Sequence, residues 1–77
     1  MKKTEFLKVW AAHFAQVRAK QYAGDPHGPA CRAMCVLDDA KAGEKHWRNY
    51  RAYYAHNMTA EQLAAKLAAD RQEKEAR

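Results

Sequence analysis

VLDDAKAGEKHW, residues 36–47, decides how many helices the chain has. A glycine inside a helix costs only about 1 kcal/mol relative to alanine, so Gly43 is compatible with one long helix. It is equally compatible with a stop at Ala42 and a new start. The reading adopted here is a break, with helices over residues 30–42 and 44–57.

Towards the C-terminus, EKHWRNYRAYYAHN places Trp47, Tyr50 and Tyr54 at helical offsets of 0, 3 and 7. They form one aromatic stripe, and Lys41, Lys45, Arg48 and Arg51 form a basic ridge beside it. His46 and Tyr53 lie off that stripe and are expected to present a second, exposed aromatic face. Thr59 and Gln62 have the spacing of a capping box, which opens a further helix over residues 60–75. Leu63 and Leu67 mark its buried face. After Ala69 no large apolar residue follows, and Asp70 to Lys74, Arg71 to Glu75 and Glu73 to Arg77 are opposite-charge pairs at i,i+4.

Towards the N-terminus, GDPHGP concentrates two prolines and two glycines in residues 24–29 and predicts a loop. Pro29 suits the first turn of the following helix, where its missing N–H would be unpaired anyway. Met34 and Leu37 are the apolar positions of that helix at helical spacing. Residues 4–23 read as an amphipathic helix capped by Thr4, with Leu7, Trp10, Phe14 and Val17 along one stripe and Phe6 beside them. No stretch alternates apolar and polar residues over strand length. The expectation is an all-α single domain over residues 1–77, a small three- or four-helix bundle with short connections.

A chain of 77 residues buries only about 60% of the surface it exposes when unfolded. A homodimer is the natural way to enlarge so small a core. Fourteen Lys and Arg against nine Asp and Glu give a net charge of +5, which favours an acidic partner over a basic one and argues against a mimic of DNA. No apolar run approaches the length of a membrane span, and charge interrupts the first residues too often for a signal-peptide core. Two cysteines are too few for a disulfide framework. These features together predict a soluble, cytoplasmic protein.

His27, Cys31 and Cys35 stand four residues apart in series. On a helix, Cys31 and Cys35 have Cβ atoms about 5–6 Å apart, too far for an unstrained disulfide. Zinc would accept both thiolates with His27, and His46, His56 or Asp39 would complete a tetrahedron. C-x3-C without a second cysteine pair is not a common zinc spacing, however. The favoured reading has no cofactor, with both cysteines packed as small hydrophobes beside Met34 and Leu37. Cys35 with His46 is a conceivable thiol and base pair, but it carries no family signature. Asp38 and Asp39 are adjacent and diverge on a helix. The expectation is a protein that is not an enzyme.

TAEQLAAKLAAD, residues 59–70, resembles the first helix of a helix-turn-helix motif. That motif implies a turn and a recognition helix to follow. Only Arg71 to Arg77 remain, without a turn residue, so no DNA-reading residues are assigned. Two classes of partner fit the ridge. Lys41, Lys45, Arg48 and Arg51 beside tyrosines and tryptophan suit phosphates and stacked bases of a nucleic acid. Tyr, Trp and Arg are also the residues that dominate protein interfaces. The favoured expectation is recognition of a larger protein through Lys41, Lys45, His46, Arg48, Arg51 and Tyr53, as for an accessory protein of a phage or plasmid that inhibits or adapts a host factor.

Overall fold

The computed structural model describes residues 1–76, without the side chains of Glu73, Glu75 and Ala76. The chain is all-helical: α1 spans Lys3–Gln21, α2 spans Gly28–Asn57 and α3 spans Ala60–Ala76, with no strand among the described residues. The pairs Arg71 to Glu75 and Glu73 to Arg77 lie outside the described residues, and Asp70 takes Lys66 as its partner at 2.9 Å.

Gly43 does not break the second helix. α2 runs through it and is kinked later, at Tyr50, where φ is −124° and ψ is 24°. The reason is packing from α1. The Trp10 ring lies on Gly43 so closely that a Cβ there would meet Trp10 Cδ1 at 2.7 Å and Nε1 at 2.9 Å. The Trp10 indole N–H donates to the Asp39 carbonyl at 2.8 Å. A continuous helix pairs that same carbonyl with the Gly43 N–H, and a carbonyl has lone pairs for both donors. Glycine is present so that an indole can reach the helix backbone.

Helix ends differ from expectation by a residue or two, for identifiable reasons. α1 starts at Lys3 without a side-chain cap, so Thr4 lies inside it. The Met1 amine instead donates to the carbonyls of Tyr54 and Ala55 at 3.1 and 2.9 Å. Those carbonyls belong to the last turn of α2, which lacks intrahelical donors and attracts positive charge. Gly24 takes φ +78° in the connection, and His27 donates its backbone N–H to Asp25 Oδ1 at 2.8 Å just before α2 begins. The capping box of α3 forms as expected: Thr59 N–H donates to Gln62 Oε1 at 2.9 Å and Gln62 N–H to Thr59 Oγ1 at 3.2 Å.

α1 packs against both other helices. The core is Phe6, Trp10, Trp47, Tyr54 and Leu63, with Phe6 and Leu63 fully enclosed. Phe6 sits at its centre, its ring 4.9 Å from Tyr54, 5.2 Å from Trp47 and 5.7 Å from Trp10. All of these residues belong to one end of the molecule. Between Ala11 and His46, the described residues that are buried are the glycines 28 and 43. That hairpin of α1 and α2 is held by polar contacts instead. The Arg18 guanidinium grips the Asp39 carboxylate through two hydrogen bonds, of 3.1 and 2.8 Å.

The expected burial of Met34 and Leu37 is overturned: they are 74% and 68% exposed. The side of α2 that meets α1 carries Asp39 and Gly43, and Met34 and Leu37 fall on another side. Cys31 and Cys35 are half-buried free thiols, and the Tyr22 hydroxyl lies 3.8 Å from Cys35 Sγ. Among the described residues, no helix is long and apolar enough to cross a membrane.

Replacing Gly43 by Ala tests the indole seat. The gain in helix propensity is about 1 kcal/mol, and overpacking against a ring fixed by its own hydrogen bond costs about 1–3 kcal/mol. The expected result is a lower melting temperature; an unchanged or higher one would mean that the indole is not held against the helix.

Candidate protein-interaction face

The stretch of α2 from Lys41 to Arg51 carries the ridge. Lys41, Lys45 and Arg48 fall at offsets of 0, 4 and 7 and share one side of the helix, with Arg51 one turn beyond Arg48. All four are exposed. Among the described residues none of the four has an ion-pair partner. Glu44, the acidic residue within this stretch, is drawn across to α1, where Lys3 holds its carboxylate at 2.7 Å. The ridge therefore keeps its full positive charge in front of solvent.

Tyr53 is 48% exposed and rests edge-on against Tyr54, with centroids 5.2 Å apart and planes at 81°. His46 does not join it at the surface. It is half-buried, with its Nε2 2.8 Å from the Tyr54 hydroxyl and its ring 5.1 Å from that of Trp10. A buried phenol needs a hydrogen-bond partner, and His46, two turns earlier on α2, supplies it. Tyr50, expected in the core stripe, is 55% exposed and lies 4.9 Å from the His46 ring. The kink at Tyr50 separates it from Trp47 and Tyr54, so the exposed aromatic residues of this region are Tyr50 and Tyr53 rather than His46 and Tyr53.

His46 and His13 both titrate below the ordinary histidine range. Burial is the main cause for each, aided by the charge of Lys66 near His46 and of Arg71 near His13. Burial also raises the Tyr54 phenol. The His46–Tyr54 bond thus joins two neutral groups.

Nor does the structure assemble the other constellations considered in the sequence. Cys35 and His46 are eleven residues apart on one continuous helix, about 16 Å along its axis, and are not a thiol and base pair. Asp39, a proposed fourth zinc ligand, gives its carboxylate to Arg18. Among the described residues no three His, Cys, Asp or Glu side chains stand together as a metal site. No family model matches the chain, and no curated protein or solved structure matches it either.

The two half-buried imidazoles give the fold a defined pH response. The unfolded chain binds protons near the ordinary histidine value of 6.5, and the folded chain binds them only below that. Stability is therefore complete above about pH 6.5 and falls as the pH drops through that value towards the lower folded value. Melting followed by circular dichroism between about pH 7.5 and pH 5 should show this loss. A His46→Gln variant, which keeps a partner for Tyr54 but cannot take the proton, should lose less over the same range. Parallel curves would remove His46 from the explanation.

Proposed function

We propose that this chain is a non-enzymatic binding protein that docks the outer side of α2, from Lys41 to Tyr53, onto an acidic surface of a larger protein. One observation carries the reading: Lys41, Lys45, Arg48 and Arg51 stand exposed on a single helix, without ion pairs among the described residues, while the neighbouring Glu44 is committed to Lys3. Long cationic side chains at fixed helical spacing offer steering and register to a negative partner. Tyr53 at the edge, with its ring already oriented by Tyr54, offers rigid aromatic area at small entropic cost. Such a role needs no enclosed recess. Inhibition or adaptation of a host factor by an accessory protein of a phage or plasmid is the setting this mode of action suits.

The same cations also suit phosphates, and the test is built to separate the two partners. The purified protein is immobilised and exposed to nuclease-treated lysate, and in parallel titrated with random-sequence duplex and single-stranded DNA and RNA at low and near-physiological salt. The expected result is a retained protein that survives nuclease treatment. Its capture should fall at least about tenfold in a Lys45→Glu, Arg48→Glu double variant of unchanged helicity, and several-fold in Tyr53→Ala. Retention that disappears with nuclease would transfer the ridge to nucleic-acid binding, especially alongside steeply salt-dependent binding of every sequence.

A further inference from the structure

The basic ridge ends in a hollow. Where the start of α1 meets α2, a recess of about 390 Å³ is lined by Lys3, Glu44, Trp47, Arg48 and Arg51. Arg48 and Arg51 are three residues apart and neighbours on the surface of α2, and Lys3 comes to the same place from α1. Trp47 is buried and contributes the floor. Its indole N–H has no hydrogen-bond partner among the described residues, whereas that of Trp10 is bonded to the Asp39 carbonyl. No buried side-chain nitrogen or oxygen among the described residues lacks a partner, so the Trp47 N–H is open to solvent.

Two guanidinium groups and one ammonium against a single carboxylate leave two positive charges in excess at one point of the surface. Lys3 holds Glu44 at 2.7 Å, but both side chains are half exposed. A pair of that kind is worth little and yields readily to a stronger acceptor.

We propose that this hollow is the seat of a phosphoryl group on the protein that docks against the ridge, carried by a phosphorylated serine, threonine or tyrosine. The inference rests on the reading of the ridge as a docking face and supplies the chemistry of what docks there. A phosphate monoester carries about −1.5 to −2 charges at neutral pH and three acceptor oxygens, which matches the excess of two cations. Guanidinium forks bind such oxygens in pairs. A carboxylate or a nucleic-acid phosphodiester brings one charge and leaves part of the excess uncompensated. The recess also admits the side chain that bears the phosphoryl group.

Inorganic phosphate is the probe. The full chain, labelled with ¹⁵N, is titrated with phosphate and, in parallel, with acetate at about pH 7.5, where phosphate is mostly a dianion, and at constant ionic strength. The expected result is saturable phosphate binding, at least about fivefold tighter than acetate, that moves the Trp47 indole signal and leaves that of Trp10 in place. Arg51→Gln should weaken it by a similar factor. Lys20→Gln, which removes the same charge at the far end of α1, should not. Glu44→Gln should tighten it several-fold, because Lys3 is freed and the one repelling carboxylate is gone. All three positions are exposed, and circular dichroism should show unchanged helicity. Phosphate bound no better than acetate, or signals that move at every basic residue alike, would overturn the proposal. Treating the lysate used for protein capture separates the seat from the docking face. Capture that disappears with phosphatase supports both. Capture that survives phosphatase overturns the seat and leaves the docking face standing, and capture that disappears with nuclease overturns the docking face itself.

Discussion

The contact on which the rest of the structure depends is the seat of the Trp10 indole on Gly43. It does two jobs that a larger residue at position 43 would prevent. It brings α1 close enough to α2 for the Trp10 N–H to reach the Asp39 carbonyl, and it fixes the register in which Asp39 meets Arg18 one layer further along. In the other direction the same register places Phe6 against Trp47 and Tyr54. A residue that weakens a helix by propensity is used here to attach it, because the attachment is worth more than the roughly 1 kcal/mol of propensity lost.

From that seat the molecule becomes asymmetric. The aromatic core lies entirely on one side of it, closed by α3 through Leu63 and Leu67 and by the Met1 amine on the last turn of α2. The hairpin on the other side has polar fastenings and no core of its own. The radius of gyration of 13.3 Å exceeds the roughly 11.5 Å of a compact chain of this length, and the elongation follows from a 30-residue helix whose ends serve different neighbours.

Local signals in the sequence are legible at most positions where local chemistry decides the outcome, Thr4, which does not cap α1, being an exception. The capping box at Thr59, the loop rich in proline and glycine, the helical character of all three segments and the enclosure of Trp10, Trp47, Tyr54 and Leu63 were all legible from spacing. So was the arrangement of Lys41, Lys45 and Arg48 on one side of a helix. What escaped depends on contacts between segments distant in sequence. A glycine that ends a helix and one that receives an indole from another helix look alike in a single sequence. Nothing near Tyr54 announces that its hydroxyl will draw His46 inward, and the kink that exposes Tyr50 has no proline or glycine at its position to signal it. The exposure of Met34 and Leu37 was missed for a related reason: periodicity shows that residues share a side, but not whether any other element covers it.

The two halves of α2 differ in a way that composition averages conceal. The net charge of +5 describes no single surface. From Cys31 to Ala40 the helix has one basic and two acidic residues, whereas from Lys41 to Arg51 it has four Lys and Arg against one glutamate. That glutamate is tied to Lys3. Aliphatic exposure follows the opposite gradient, with Met34, Val36 and Leu37 in the first stretch, whereas Tyr50 and Tyr53 are the exposed apolar residues further along. A single helix thus presents an aliphatic stretch and a cationic stretch in succession. Because the helix passes unbroken through Gly43, the two surfaces are held at a fixed separation.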